Sequence, residues 1–287
     1  MELKKLTKEM LKFRLGHDPD IDPDLFVAHL DDVIRFNPDG CFALLDGDDV
    51  IGMITSTVYQ QVGWLGWLFV LQEYRQRGLG AQLMEKGIEH IRSRGVKTIL
   101  LEADIKAIPL YERLGFVEQF TTQHFTLTRG DFKCGHRDAA QVASVARDDL
   151  KVIAEFDRGF FHEDRLALFE IVASNPTFRG FAATVDGKLA GYIFVIEATE
   201  NQQVSPLIVD LSQEHAEEIA GILIREAFKA CPKTLYFRCP LTSDTSAALL
   251  TELGARRVDS YTVRMYLGES YKAERSGVLS LGCPGKG

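Results

Sequence analysis

A glycine-rich loop between an apolar stretch and an amphipathic stretch carries the strongest chemical signal in the sequence. Residues 68–81 read LFVLQEYRQRGLGA. Gly78 and Gly80 have no side chains where the loop enters the predicted helix, so successive backbone N–H groups can point at one anion at the positive helix end. Arg75 and Arg77 add the charge that a phosphate partner needs. The spacing predicts a phosphate-binding loop.

Two other phosphate-binding patterns do not fit this loop. A dinucleotide fingerprint needs its first glycine directly after the strand and a third glycine at position 83, which is Leu83, although Glu102 stands close to the acidic position of that fingerprint. A P-loop needs Gly-Lys followed by Ser or Thr, and the sequence has no such tripeptide. The loop therefore belongs to neither pattern.

Together with a second motif, the loop resembles the GNAT superfamily of acyl-CoA-dependent N-acyltransferases. The loop is similar to the pyrophosphate-binding pattern [QR]xxGx[GA] of that superfamily. The segment IPLYERLGF at residues 108–116 is similar to its second signature, a short helix that carries a tyrosine before Leu-Gly-Phe. The two motifs stand at the expected separation. The resemblance covers residues 1–130 with specific motifs, and it implies an N-acetyltransferase.

The resemblance also implies which residues contact acetyl-CoA, the expected co-substrate, and it implies no metal. The strand before the loop would pair through its backbone with the pantetheine arm, and the loop would hold the pyrophosphate. The implied cofactor-binding residues are Leu68, Phe69, Val70, Arg75, Gln76, Arg77, Gly78, Leu79, Gly80, Ala81, Asp104, Ala107 and Tyr111. A backbone N–H near Val70 or Leu71 would polarise the thioester carbonyl.

Tyr111 matches the tyrosine that members of the family place beside the CoA sulfur. A phenol with a pKa of about 10 can protonate a thiolate with a pKa of about 8.5 when the two are hydrogen-bonded. Tyr111 is therefore the candidate general acid. The competing interpretation is an aromatic side chain that only packs on a short helix.

The general base is less well determined than the acid. Glu102 and Asp104 differ by two residues, so they share one face at the end of a predicted strand, and either could accept an amine proton through water. Family members commonly have an asparagine where this chain has Asp104, and a carboxylate offers no N–H donor there. His124 is the one histidine expected near the site. A structural role is the competing interpretation for each of these residues.

The chain repeats itself at an offset of 138 to 140 residues, which defines a first and a second repeat. The pairs Asn-Pro, Phe-Ala, Asp-Gly and Leu-Gly begin at residues 37, 42, 46 and 114 and again at residues 175, 181, 186 and 253. Each repeat mixes hairpins with one β-α-β crossover. We therefore expect an α/β protein (an α+β mixed sheet) with two tandem domains of the acyltransferase fold. The expected boundaries are a domain at 1–131, a linker at 132–140, a second domain at 141–270 and a poorly ordered tail at 271–287.

The second repeat departs from the motifs of the first. Arg75, Gly78, Gly80 and Tyr111 correspond in the second repeat to Glu214, Glu217, Ile219 and Leu250. Carboxylates would repel a pyrophosphate, and leucine has no proton to give. The second repeat is therefore predicted to be degenerate and without CoA. A further hypothesis is that Tyr192, Phe194 and Glu197 of the second repeat cover the acceptor cleft of the first.

Composition excludes several classes of function. Among 287 residues, 33 are Lys or Arg and 41 are Asp or Glu, which gives a net charge of −8 and argues against nucleic-acid binding. The five cysteines form no CxxC pair, and no 18 apolar residues run together, so a cytoplasmic protein without a membrane span is expected. Residues 17–49 hold ten aspartates against Arg35 alone, which fits a cationic acceptor or simply a solvated face.

These observations favour transfer of an acetyl group from acetyl-CoA to a primary amine by direct attack. Neither motif contains a cysteine, so an acyl-cysteine intermediate has no obvious nucleophile. The expected acceptor is a small-molecule amine, and the expected state is a monomer or homodimer. Two alternatives stay open, an acyl-CoA-binding sensor without turnover and a protein N-acetyltransferase.

Overall fold

The computed structural model of the chain describes residues 1–12, 23–135, 139–197, 201–242, 244–271, 276–283 and 285. In chain order the first repeat forms β1 (Glu2–Lys5), α1 (Pro23–Phe36), β2 (Phe42–Asp46), β3 (Asp49–Val58), β4 (Val62–Val70), α2 (Leu79–Ser93), β5 (Thr98–Ala103), α3 (Ile108–Arg113) and β6 (Val117–Leu127). The second repeat forms β7 (Gln141–Ser144), α4 (Leu150–Phe161), α5 (Leu166–Ala173), β8 (Phe178–Val185), β9 (Lys188–Glu197), β10 (Asn201–Val209), α6 (Ala216–Ala230), β11 (Thr234–Pro240), α7 (Asp244–Glu252), β12 (Arg256–Leu267) and β13 (Val278–Ser280). The mixed α/β architecture expected from the sequence is confirmed.

The chain folds into two compact units that do not coincide with the two repeats. Unit 1 comprises Met1–Gln119, Val263–Lys272 and Pro284–Gly287, and unit 2 comprises Phe120–Thr262 and Ala273–Cys283. The expected linker and tail include residues 136–138, 272–275, 284, 286 and 287, which lie outside the described residues.

The repeats exchange their closing strands. Strand β12 ends the second repeat, yet it runs antiparallel to β5 in unit 1, with Val263 opposite Ala103. Strand β6 ends the first repeat, yet it runs antiparallel to β11 in unit 2, with Leu127 opposite Leu235. Each unit is therefore completed by a strand from the other repeat.

In unit 1 the strands follow the order β1-β2-β3-β4-β5-β12. Only β4 and β5 run parallel, and they pair only from Val62 opposite Thr98 to Trp64 opposite Leu100. Beyond these residues the two strands part, although β4 continues to Val70. Helix α2 covers one face of the sheet, with Leu83 and Ile91 fully buried in the core. The parting of β4 and β5 leaves a slot at the carboxyl ends of both strands.

Unit 2 repeats this arrangement with the strand order β6-β11-β10-β9-β8-β7. Strands β10 and β11 run parallel and pair only from Asn201 opposite Thr234 to Gln203 opposite Tyr236. A second slot therefore lies where β10 and β11 part.

The expectation of a poorly ordered tail is wrong for residues 276–283. Strand β13 pairs antiparallel with β10, and Val278, Leu279 and Leu281 are at most 2% exposed. The sequence Val-Leu-Ser-Leu at residues 278–281 supplies the apolar side chains of this strand. Their burial accounts for the ordered strand.

Candidate active site

The glycine-rich loop begins where β4 ends and leads directly into α2. Gln76 and Gly78 adopt positive φ angles of 61° and 78°, a conformation that glycine tolerates better than other residues. In α2 the N–H of Gln82 donates to the Gly78 carbonyl at 3.1 Å. The N–H groups of residues 79–81 precede this bond in the first helical turn, where a helix has no acceptor of its own for them. They are the N–H groups for which the sequence predicts an anion.

Backbone carbonyls hold both arginines of the loop. Arg75 Nε donates to the Val70 carbonyl at 2.9 Å, and an Nη atom of Arg77 donates to the Glu73 carbonyl at 3.0 Å. The Arg77 guanidinium also lies over the Tyr74 ring, 5.2 Å from its centroid. Both arginines are exposed. Two cations therefore stand beside the N-terminus of α2 and remain accessible to a ligand.

The hydrogen-bond register of β4 determines which backbone groups face the slot. The Leu71 N–H donates to the Ile51 carbonyl at 2.9 Å, so it points towards β3. Val70 lies opposite Gly52 in the next register position, and the groups of successive residues point to opposite edges of a strand. The Val70 N–H and carbonyl therefore face the slot, and of the two expected carbonyl-polarising groups only the Val70 N–H does so.

A bulge in β4 lies just before these residues. The pairing with β3 shifts register between Met53 and Thr55, and Trp67 has a positive φ of 51°. Bulges re-aim the residues that follow them in a strand. Leu68, Phe69 and Val70 follow the bulge and are half-buried, at the part of β4 that no longer pairs with β5.

Tyr111 lies on α3 and is 7% exposed. Its ring packs edge-on against Phe116, with 6.1 Å between the centroids. Burial, with a smaller contribution from the Asp104 carboxylate, raises the pKa of Tyr111 to about 12. Within the described part of the chain, no group forms a hydrogen bond with the Tyr111 phenol. The phenol is protonated at neutral pH and free to donate to a ligand.

Asp104 and Ala107 flank the short turn that leads into α3. Asp104 is exposed, and its Oδ1 accepts the Lys106 N–H at 2.8 Å. Ala107 is half-buried and caps the N-terminus of α3. The Asp104 carboxylate is therefore accessible to water.

Glu102, in contrast, belongs to a buried ion pair. Both Nε and one Nη of Arg264 lie 2.5 Å from Glu102 Oε1, and the two side chains are 1% and 4% exposed. The Arg264 guanidinium lies 4.2 Å from the centroid of the Trp64 ring. Burial lowers the pKa of Arg264, while Glu102 acts in the opposite direction. Arg264 therefore holds the Glu102 carboxylate at the point where β4 and β5 part.

Sequence reasoning missed Arg264, which reaches unit 1 on the exchanged strand β12. A single cation between Val263 and Met265 in an otherwise apolar alternation is a weak signal of a buried partner. Nothing in the local pattern indicates that the partner is Glu102.

His124 is not among the residues of unit 1. Strand β6 carries His124 into unit 2, where Nδ1 lies 2.9 Å from Ser260 Oγ and 2.6 Å from Tyr236 Oη. The exchange of the closing strands therefore places His124 in unit 2, where its printed partners also lie.

The sequence suggests that Tyr192, Phe194 and Glu197 cover a cleft. Glu197 is half-buried and pairs with Arg179 at 3.5 Å, whereas Tyr192 and Phe194 are interior residues of unit 2. They are 0% and 1% exposed within the aromatic core of unit 2. Tyr192 Oη donates to Asp157 at 2.5 Å, and Asp157 also binds Arg165. Both rings are committed to the interior of unit 2.

The loop of the second repeat carries carboxylates beside α6. Glu214 and Glu217 are exposed, whereas Ile219 and Leu250 are 1% and 0% exposed and belong to the core. Neither apolar side chain has a proton to donate to a cofactor.

The described residues lack two further features. These residues contain no group of three or more His, Cys, Asp or Glu side chains that could hold a metal ion. None of the helices among them is long and apolar enough to span a membrane.

Comparisons with known proteins place this geometry in a family. Residues 4–116 match the sequence model described as Acetyltransferase (GNAT) family, and residues 153–279 match the one described as Acetyltransferase (GNAT) domain. N-alpha-acetyltransferase 30 of Schizosaccharomyces pombe is 31% identical over 87 residues, which make up 28% of this chain and 58% of that protein. Mycothiol acetyltransferase of Thermobispora bispora is 35% identical over 91 residues, which make up 28% of this chain and 31% of that protein. The chain thus spans less than two thirds of either relative.

Two solved structures share the fold over nearly the whole chain. A putative acetyltransferase from Pyrococcus horikoshii has a TM-score of 0.83 at 20% identity and covers 100% of this chain and 95% of its own. A tandem GNAT protein from the clavulanic acid biosynthesis pathway has a TM-score of 0.68 at 14% identity and covers 92% of this chain and 94% of its own. The two family matches together take up more than half of the sequence, and the chain belongs to the GNAT acetyltransferase family in a tandem, two-domain form.

Proposed function

We propose that unit 1 transfers an acetyl group from acetyl-CoA to a primary amine. The observation that carries this proposal is the slot between β4 and β5, which the Val70 N–H faces and which leads to the open N-terminus of α2. A thioester with a long polar arm and a pyrophosphate needs this combination of backbone donors and an anion-binding helix end.

The loop and β4 divide the binding of acetyl-CoA between them. The N–H groups of residues 78–81 receive the pyrophosphate, with Arg75, Gln76 and Arg77 beside it. The backbone of residues 68–70 pairs with the pantetheine arm. Asp104 and Ala107 line the side of the slot that follows β5, and Tyr111 comes next on α3. This assignment rests on family membership and on the accessible loop cations.

The reaction is a direct attack of the neutral amine on the thioester carbonyl. The Val70 N–H stabilises the oxyanion that forms on the carbonyl oxygen. The carbon–sulfur bond then breaks, and Tyr111 donates to the departing sulfur. Because the pKa of Tyr111 is about 12, its proton is held more tightly than by an ordinary phenol, so hydrogen bonding to the sulfur is the larger part of its contribution.

Asp104 is the base that the local environment favours. Its carboxylate is exposed, whereas that of Glu102 is 4% exposed and bound to Arg264. A proton from the attacking amine can reach Asp104 through water. Glu102 is better suited to holding the sheet together at the slot.

The acceptor is proposed to be a small-molecule amine. The relatives differ on this point, since one is an N-alpha-acetyltransferase and another a mycothiol acetyltransferase. The ten aspartates of residues 17–49 favour a cationic acceptor, although residues 17–22 lie outside the described residues. We also propose that the protein is a cytoplasmic monomer or homodimer without nucleic-acid or membrane partners.

The second repeat is proposed to bind no CoA. Glu214 and Glu217 stand where the first repeat has Arg75 and Gly78, and two carboxylates oppose a pyrophosphate. Ile219 is buried where the first repeat has Gly80.

Calorimetric titration with acetyl-CoA tests the proposed site. Wild type is expected to bind one equivalent, and Gly78→Glu combined with Gly80→Ile is expected to bind none. Gly159→Glu is the matched control, because it adds the same charge on α4 at a glycine with no neighbour within 4 Å. A double variant that still binds one equivalent contradicts the assignment of the loop. Two equivalents in wild type contradict the proposal for the second repeat.

A further inference from the structure

The slot between β10 and β11 of unit 2 is filled by a segment of the chain itself. Strand β13 runs antiparallel to β10 beyond the point where β10 leaves β11, with Leu207 opposite Ser280 and Ile208 opposite Val278. In unit 1, no described strand lies between β4 and β5 at the equivalent place. The same fold therefore has one slot without a strand and one slot with a strand.

The strand beside each slot is held by a backbone hydrogen bond at equivalent residues. Asp210 donates its N–H to the Ala190 carbonyl at 2.9 Å, as Leu71 does to Ile51 in unit 1 at the same distance. The preceding residue is Val209, which stands where unit 1 has Val70. The Val209 N–H faces the slot and donates to the Gly277 carbonyl at 2.9 Å. A peptide carbonyl thus occupies the place that the proposed function gives to the acyl carbonyl in unit 1.

The other side of the segment bonds to β11. The Leu281 N–H donates to the Arg238 carbonyl at 2.8 Å. Ser280 Oγ accepts the Arg238 N–H at 3.0 Å and donates to the Val204 carbonyl at 3.0 Å. The segment therefore uses backbone groups of both parted strands. These groups would otherwise be available to a ligand.

The side chains of the segment are as buried as those of any core strand. Val278, Leu279 and Ser280 are each 0% exposed. Gly277 has a φ of 91°, and a Cβ at this position would lie 2.2 Å from the Val209 carbonyl oxygen. The close approach of Gly277 to Val209 therefore requires glycine.

We propose that residues 276–283 are an intramolecular ligand of unit 2, and that the second slot binds a peptide strand where the first binds the pantetheine arm. The equivalence of the slots rests on the proposed function, whereas the binding of the strand does not. The second repeat is then closed to CoA by its own backbone as well as by Glu214 and Glu217. Strand addition of this kind takes affinity from main-chain hydrogen bonds and specificity from alternate side chains.

The test uses full-length Gly277→Ala, with Gly159→Ala as the matched control at a glycine that has no neighbour within 4 Å. The strain and the clash at residue 277 are expected to lower the hydrogen-exchange protection of the Val209 and Leu281 amides at least about tenfold. A synthetic peptide, SGVLSLGC, is expected to bind Gly277→Ala with a stoichiometry of one and to restore its Tm. The same peptide is expected not to bind wild type or Gly159→Ala, because their slots are filled.

Several results overturn the proposal. Unchanged amide protection in Gly277→Ala, or no binding of the peptide to a folded Gly277→Ala, shows that the slot is not a receptor for this strand. If Gly277→Ala does not fold, amide exchange in the wild-type protein is the deciding measurement. Protection of the Val209 and Leu281 amides equal to that of the α6 core supports the proposal, and exchange as fast as in exposed loops refutes it. Acetyl-CoA titration is a separate readout, so failure of the proposed function leaves the peptide result interpretable.

Discussion

The ion pair between Glu102 and Arg264 gives the sharpest test of the strand exchange. The two residues are 162 positions apart in the chain, and they meet because β12 of the second repeat lies beside β5. Arg264→Met removes the cation and leaves a carboxylate that is 4% exposed. Breaking a buried pair by removing one partner costs about 3–5 kcal/mol. At about 2–4 °C for each kcal/mol, Tm is expected to fall by about 6–20 °C.

A double-mutant cycle separates the interaction free energy of the Glu102–Arg264 pair from the other contacts of the two side chains. Replacing both partners with apolar residues of similar volume is often near neutral, so Glu102→Leu combined with Arg264→Met is expected to be more stable than Arg264→Met alone. Lys97→Met is the matched control, since Lys97 pairs with Glu269 at 3.5 Å with both side chains largely exposed. An exposed pair contributes between about 0 and 1 kcal/mol, so Lys97→Met is expected to leave Tm almost unchanged.

The assay is thermal and denaturant unfolding of the four variants and wild type at neutral pH. The reasoning is refuted if Arg264→Met is no more destabilising than Lys97→Met. It is also refuted if the effects of the two single substitutions simply add in the double variant. Either result would mean that Glu102 and Arg264 are not in contact, and that β12 does not complete unit 1.

Three further predictions concern single side chains. Tyr111→Phe is expected to lower kcat by about 10²–10⁴, far more than it weakens acetyl-CoA binding, as stopped-flow and calorimetry would measure; equal losses in both would favour a sensor. Because burial raises the pKa values of Cys41 and Cys239 to about 12, neither thiol forms an appreciable thiolate at pH 8, and mass spectrometry after iodoacetamide treatment of the folded protein should find both unmodified; modification within minutes would contradict their burial. Tyr192→Phe removes the hydrogen bond to Asp157 and should cost about 1–3 kcal/mol in urea unfolding, whereas a neutral effect would show that the contact is not formed.

Local sequence chemistry predicts the elements of this fold well. Both Asp-Gly turns join hairpins, with φ angles of 63° at Gly47 and 74° at Gly187. The loop around Gly78 also has the geometry that its spacing predicts. Signals of this kind depend on neighbouring residues alone, so the sequence contains them in full.

Local sequence patterns do not specify which distant strands pair with one another. The alternation in QFTTQHFTL and DSYTVRMYL determines which residues share a face, but it fits equally well beside β5 or β11. The sequence therefore does not indicate that Arg264 belongs to unit 1 or that His124 belongs to unit 2. The strand at Val278–Ser280 is only three residues long, too short for a period to be recognised.

The exchange of closing strands affects how the chain can fold as it is synthesised. Unit 1 lacks its last strand until residue 267 has left the ribosome, although its other strands are complete at residue 103. During that interval the edge of β5 has no partner strand, and Glu102 has no counter-ion. The sheet of a nascent first repeat therefore remains incomplete and has an exposed edge. This state favours aggregation and binding by chaperones. Pairing over such a sequence separation also makes the final step of folding slow.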